Sequence, residues 1–424
     1  MREQAISIFK EAVKAVQPQY LLPAWIQREG NTLRLANHEY AAGSFEHIYV
    51  IGAGKASAAM AQQVELILGD AVTGGIVVTK YEHAVTLEKI KCIEAGHPVP
   101  DENSVKAGTA IVELLKQAGE NDLVIALISG GASALMVDYP RGSSLQELQQ
   151  LFSALLRSGA TIQEMNTVRK HLSPSIKGGQ LVRAAWPATL YSFILSDVIG
   201  DPLETIASGP TVADPTNIAD AKQILEKYGL QWLQQGTETP KPGDALFEKS
   251  YNYLIGTNRI ALEAAAKKAE ALHYHTTLLT DTLSGEASEK ATELVRQLLN
   301  YTGPRPVCLL LGGETTVTVK SNGKGGRNQE FVLAALQALQ KENTTAENMP
   351  VILSAGTDGT DGPTDAAGAF VDNEVASTAQ QLQLNVQHYL QQNDAYHFFQ
   401  QAGGLIITGA TQTNVMDIVV VLLK

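Results

Sequence analysis

The stretch IYVIGAGKASAAM, Ile48 to Met60, decides the fold. Ile48 to Ile51 form a short apolar run, Gly52-Ala53-Gly54-Lys55 breaks it with small residues and a cation, and a helical pattern follows. Strand, glycine turn and helix start in this order make one βα unit, and a run apolar on consecutive residues fits a strand covered on both faces. Working outward, similar runs recur at Ile76 to Thr79, Leu123 to Ile128, Leu190 to Leu195, Tyr253 to Ile255, Thr276 to Thr280, Val307 to Leu311 and Val351 to Leu353, each followed by helical spacing. The expected class is therefore α/β with a mostly parallel sheet. No period of 20–50 residues recurs, which excludes a solenoid or propeller.

The chain has 424 residues, 44% hydrophobic and 18% charged, enough apolar material for a packed core. One core stops growing efficiently beyond roughly 250–300 residues, so two domains are expected. The polar stretch Gln234 to Asp244, QQGTETPKPGD, reads as the linker between residues 1–240 and 245–424. Lys341 to Pro350 reads as a surface loop after a helix. With 32 Lys and Arg against 44 Asp and Glu, the net charge of −12 argues against nucleic acid as a partner. Cys92 and Cys308 each sit in an apolar run and read as core thiols, which suits a reducing, cytoplasmic setting. Met1 to Val16 places Ile6, Phe9, Val13 and Val16 at helical spacing, an amphipathic helix without the apolar run of a signal peptide. No stretch reaches the ~18–20 apolar residues of a membrane span, so no membrane partner is expected.

Ligands of open α/β sheets bind beyond the carboxyl ends of the strands. In this sequence those ends carry Gly52, Gly54 and Lys55; Ser129, Gly130 and Gly131; Asp197; Gly312, Gly313 and Glu314; and the acidic, glycine-rich run holding Asp358 and Asp361. Small residues let backbone amides approach a ligand, and a following helix adds its positive end, so an anionic ligand is favoured. The dinucleotide pattern G-x-G-x-x-G fails at Ser57, and a Walker A loop fails at Tyr49 and Ala56. A serine nucleophile at Ser129 or Ser133 lacks the G-x-S-x-G elbow. Thr161 to Glu164 forms a capping box opening a helix that carries Asn166, Arg169 and Lys170. Adjacent on that helix, Arg169 and Lys170 point about 100° apart, so at most one faces a given pocket. Asp197 is a candidate to hold Mg²⁺ or to orient a hydroxyl. Arg327 and Asn328 enter a helix after Gly325-Gly326, where the helix dipole disfavours a cation, so a bound anion is the expected reason for Arg327. Asp358 and Asp361 lack the bidentate Glu of a calcium loop, and a Mg²⁺–nucleotide or polyol site fits better.

Eight segments in order, IGAGKASAAM, GHPVPDENS, LISGGASALM, NTVRKHLSPSIKGGQL, SDVIGDPLETIASGPT, GGETTV, GKGGRNQE and AGTDGTDGPTDAAGA, together resemble the glycerate 2-kinase family over nearly the whole chain. The resemblance implies a larger Rossmann-like N-terminal domain, a smaller α/β C-terminal domain, and an active site in the cleft between them. It implies transfer of the γ-phosphoryl group of ATP to the 2-hydroxyl of glycerate, with Mg²⁺. A monomer or homodimer is the expected state. The lysine of the GAGK turn and the arginine of GGRNQE are active-site residues in the family, which gives Lys55 and Arg327 here. Asp197 joins them as a catalytic candidate. Arg169, Lys170, Gly312, Gly313, Glu314 and Asn328, with the Ser129 to Gly131 loop, are expected to bind substrate or phosphate. The remaining alternatives are an NAD(P)-dependent hydroxypyruvate reductase, which Ser57 argues against, and a non-catalytic small-acid sensor.

Overall fold

The computed structural model describes residues 1–342 and 349–424. The middle of the loop expected at Lys341 to Pro350 therefore lies outside the described residues. The chain divides into two compact units, Pro18–Ile255 and a second made of Met1–Gln17 with Gly256–Lys424.

In the first unit, β1 (Ile26–Glu29), β2 (Thr32–Leu35) and β3 (His38–Ala41) form an antiparallel three-stranded sheet. The main sheet uses β4 (Ile48–Ala53), β5 (Gly74–Lys80), β6 (Ile90–Ala95), β7 (Leu123–Ile128), β8 (Thr189–Leu195) and β9 (Ser250–Gly256). Its order is β6-β5-β4-β7-β8-β9, with parallel pairing from β6 through to β8. All six residues of β7 are buried, as a strand covered on both faces requires. The chain leaves β4 toward β5 and β6, then returns to the other side of β4 at β7. The order thus reverses between β4 and β7, and their carboxyl ends flank the switch point where ligands of such sheets bind.

The stretch expected to be a linker folds into this first unit. Thr239 is buried and donates to Asp214 Oδ2 at 2.9 Å, and Asp214 N donates to Pro240 O. The division falls after Ile255 instead.

The second unit is built on β10 (His275–Glu286), β11 (Val307–Thr316), β12 (Val351–Gly356), β13 (Gly368–Val371), β14 (Leu405–Ile406) and β15 (Asp417–Leu423), in the order β10-β11-β15-β12-β13-β14. Only β10 and β11 pair in parallel; the other neighbours are antiparallel. The N-terminal helix, Arg2–Ala15, belongs to this unit and buries Ala5, Ile8, Phe9, Ala12 and Val13. Arg2 holds Asp372 through two hydrogen bonds of 2.8 and 2.9 Å, which fixes the helix to residues 370 positions away.

Candidate active site

The loops after β4 and β7 are interlocked. Gly54 has φ +133°, and a Cβ there would lie 2.1 Å from Ser129 Oγ, so only glycine lets the two loops meet. Ala56 N donates to Ser129 Oγ at 3.0 Å and Lys55 N to Gly130 O at 2.9 Å. Ser129 is fully buried, and its hydroxyl is spent on holding the Lys55 turn. Lys55 immediately precedes the helix Ser57–Leu68, whose N-terminal end favours negative charge. Around Gly131 lie His97, with Cδ2 2.9 Å from where a Cβ would stand, and the Lys55 stem, with Cγ at 3.5 Å. Ser57, which replaces the third glycine of a dinucleotide fingerprint, has its hydroxyl within hydrogen-bond reach of two carbonyl oxygens, Val78 O at 2.7 Å and Gly54 O at 2.8 Å. Its hydroxyl pins the turn to β5.

Arg169 and Lys170 part as the helical angle requires. Lys170 turns inward, its side chain 5% exposed, and pairs with the fully buried Asp214 at 3.2 Å. That closed ion pair accounts for Lys170 as a structural residue. Arg169 is only partly buried and reaches Asn166 Oδ1 at 3.1 Å. Asn166 Oδ1 also accepts from Ser208 Oγ at 3.0 Å, and Ser208 Oγ meets Ser133 Oγ at 3.0 Å. Arg169 is thus linked through two side chains to the loop after β7. Asp197 follows β8 at the same edge of the sheet and is partly exposed.

In the second unit Arg327 opens the helix Arg327–Lys341. Its Nε and Nη2 donate to the two oxygens of Asp417 at 2.5 and 2.8 Å, and Nη1 lies 2.8 Å from Glu314 Oε1. Burial alone would ease the proton off this guanidinium, but Asp417 and then Glu314 outweigh it and hold its pKa well above the usual value. These carboxylates offset the unfavourable helix dipole, so Arg327 has structural partners that its position in the sequence did not reveal. Asp417 is the residue that sequence reasoning missed. The available signal was an acidic residue entering the apolar run IVVVLL.

Other expected ligands have different work. Gly312 and Gly313 lie inside β11 instead of beyond it, because the strand continues to Thr316. Gly313 has φ +141°, and a Cβ there would lie 2.3–2.4 Å from the Leu283 backbone, at an irregularity in the β10 ladder. Gly312 packs against the Asn258 side chain. Asp361 is 2% exposed, and its oxygens accept from the amides of Asn328 at 3.1 Å and Gln329 at 2.9 Å and from both side chains. Burial pushes its carboxyl up to about 6 against the pull of those amides. It caps the Arg327 helix and is closed to a metal ion. Asn328 is 1% exposed and bridges Asp361 and Ser354. Asp358 accepts from the amide and hydroxyl of Thr360, both at 3.0 Å, as a turn former does. Among the described residues, the one group of His, Cys, Asp and Glu tight enough for a metal is Glu46, His47 and Asp122, at the amino ends of β4 and β7 and so away from the switch point.

Known proteins resemble this chain over its full length. Residues 4–238 match a family described as DUF4147, a domain of unknown function, and residues 307–417 match the MOFRL family. The D-glycerate 2-kinase of Thermotoga maritima is 38% identical over 431 residues, covering 99% of this chain and 98% of that protein. A crystal structure of glycerate kinase from the same organism superposes with a TM-score of 0.86 at 37% identity, covering 100% of this chain and 99% of that one. A protein of Agrobacterium vitis named provisionally as a hydroxypyruvate reductase is 44% identical over 388 residues, 88% of this chain and 86% of that protein. The two family matches, the full-length relative and the shared fold show that this chain belongs to the glycerate 2-kinase family.

Proposed function

We propose that this chain transfers the γ-phosphoryl group of ATP to the 2-hydroxyl of D-glycerate, giving 2-phospho-D-glycerate. The observation that carries the reading is full-length similarity to a D-glycerate 2-kinase, supported by Lys55 on an interlocked loop pair at the switch point. Phosphoryl transfer needs positioning and charge neutralisation more than covalent chemistry. Lys55, at a helix start and braced by the Ser129–Gly131 loop, supplies a cation where the helix end already favours negative charge. Arg327, fixed by Asp417 and Glu314, supplies a guanidinium whose orientation is set before substrate arrives.

Mg²⁺, which when bound neutralises charge on the transferring phosphates, takes oxygen donors. Asp197 and Asp358 fit that demand as partly exposed carboxylates; Asp361 does not, because both its oxygens are committed to the helix start. Asp197 is therefore assigned to the metal or to the substrate hydroxyl. The free thiols Cys92 and Cys308 suit a cytoplasmic enzyme. A nicotinamide-dependent reductase is the weaker reading, since Ser57 ties the turn to β5 where the fingerprint has its third glycine.

The test is ADP release from ATP with D-glycerate as acceptor. Lys55→Ala and Arg327→Ala are each expected to lower kcat/KM by at least about 10²-fold, the usual effect of removing an electrostatic stabiliser. Near-normal activity in either variant removes that residue from the mechanism, and NADH oxidation with hydroxypyruvate in the absence of ADP release overturns the kinase reading.

A further inference from the structure

Arg169 is a partly buried cation on the face of its helix. Burial weakens its hold on its proton, its nearest polar contact is the neutral Asn166, and its guanidinium lies 4.8 Å from the Phe152 ring centroid. No carboxylate pairs with it among the described residues. A second cation stands close by: Lys177 is 4% exposed and donates to Ser133 O at 3.0 Å and Met136 O at 3.1 Å. Burial first, and then the field of Arg169, drive the Lys177 ammonium toward its neutral form, with Asp138 opposing them. Asp138 accepts from the Ser173 hydroxyl and from Ser175 N at 2.7 Å. Asp138 is thus taken up by Ser173, Ser175 and the field of Lys177, and Arg169 is left with neutral contacts. A half-buried guanidinium in that setting favours an anion as its partner.

The neighbourhood is also strained. Ala207 and Ser208 both adopt left-handed backbone, φ +56° and +62°, which costs of order 1–3 kcal/mol each and persists where surrounding structure over-determines it. The strain delivers Ser208 Oγ between Asn166 Oδ1 and Ser133 Oγ. Ser208 O and Gly209 O in turn accept from Gly178 N at 3.0 Å and Gly179 N at 2.8 Å, so the segment after Asp197 and the Lys177 turn are locked together. Ser133 and Arg169, at the two ends of this chain of contacts, are both partly exposed.

We infer that Arg169, linked to Ser133 through Asn166 and Ser208, seats the carboxylate of the acceptor substrate and thereby selects a hydroxy acid over an uncharged polyol. This deepens the kinase reading and rests on it. A planar guanidinium matches a carboxylate with two parallel hydrogen bonds, and the seat lies at the same sheet edge as the Lys55 turn. Lys177 acts as a positioning residue, bracing the loop through the carbonyls of Ser133 and Met136.

The test uses Arg169→Met, whose unbranched side chain keeps the packing on Phe152, and Arg169→Lys, which keeps the charge. D-glycerate binding is measured by calorimetry, which needs no turnover, and KM is measured for D-glycerate and for ATP. Arg169→Met is expected to weaken D-glycerate binding and raise its KM by at least about tenfold, the scale of one charged hydrogen bond, with KM for ATP moving less than about twofold. Arg169→Lys recovers part of the loss, and the preference of kcat/KM for D-glycerate over glycerol collapses in the Met variant alone. A rise in KM for ATP instead, or D-glycerate binding equal to wild type in a Met variant of unchanged melting temperature, overturns the inference. Should the wild-type chain bind D-glycerate yet release no ADP, the kinase reading fails while the binding comparison still judges Arg169.

Discussion

Lys55 and Arg327 illustrate two grades of legibility. The Gly54-Lys55 turn is readable because its causes are local: a glycine needed for close approach, a cation, and a helix start within four residues. Gly54→Ala is expected to cost about 2 kcal/mol and to lower kcat, because a Cβ at φ +133° meets Ser129 Oγ and pushes the two loops apart. Denaturant unfolding together with ADP release checks both effects. Arg327 is conspicuous in sequence, but its reason is not, because Asp417 lies 90 residues away and only the fold brings them together. Asp417→Asn removes one charge from a pair whose acidic partner is 6% exposed and whose basic partner is about a third exposed. The expected loss is about 2 kcal/mol, between the values for surface and buried pairs, with at least about a tenfold fall in kcat/KM as the guanidinium loses its orientation. Unchanged kinetics would mean that Glu314 alone orients Arg327. The choice between Arg169 and Lys170 also needed the fold: both are cations on one helix, and only the buried Asp214 decides which turns inward.

Among elements, the pattern of an apolar run followed by a helix finds β4 and β7, which lead directly into helices; β5 and β8 are found by their apolar runs alone, since β5 passes to β6 without a helix. It passes over β15, Asp417–Leu423, which is apolar from Ile418 onward but has no helix after it and is sandwiched antiparallel between β11 and β12. It also ends β11 too early, since glycines that read as a strand end are in fact demanded by the neighbouring β10 backbone. The Thr161–Glu164 capping box was legible, because its hydrogen bonds run between residues three apart. Glu164 also binds Lys227 and Tyr228, and the Lys227 ammonium chiefly holds its carboxyl down at about 2, below the usual 4.5. A depressed carboxylate contributes stability that is fully present above its unfolded value and is lost as pH falls through its folded one. The stability difference between wild type and Glu164→Gln, where glutamine keeps the cap and drops the charge, is therefore expected to be constant above about pH 5 and to shrink toward zero near pH 2. Chemical unfolding across that range checks it, and a difference that does not vary with pH refutes the ion-pair account.

For the whole molecule, the recurring apolar runs carried the class and length the two-unit organisation, whereas the assignment of chain to units depends on contacts across hundreds of residues. The N-terminal helix packs with the C-terminal half, where Arg2 pairs with Asp372, Tyr274 donates to Gln4 at 2.7 Å and Thr413 donates to Val16 O at 2.6 Å. Deleting Met1–Gln17 exposes the pocket of Ile8, Phe9 and Val13 and is expected to cost about 5 kcal/mol, lowering the melting temperature of that unit by more than about 10 °C. A truncated chain that melts like the full one contradicts this assignment. The central claim is chemical, and the most direct measurement of it is the proton-coupled phosphorus NMR spectrum of the product formed from ATP and D-glycerate. A phosphate on the 2-hydroxyl couples to the single proton of its carbon and gives a doublet, which is the predicted result. A triplet, from a phosphate on the terminal CH₂ oxygen, or the absence of any phosphate ester would contradict it.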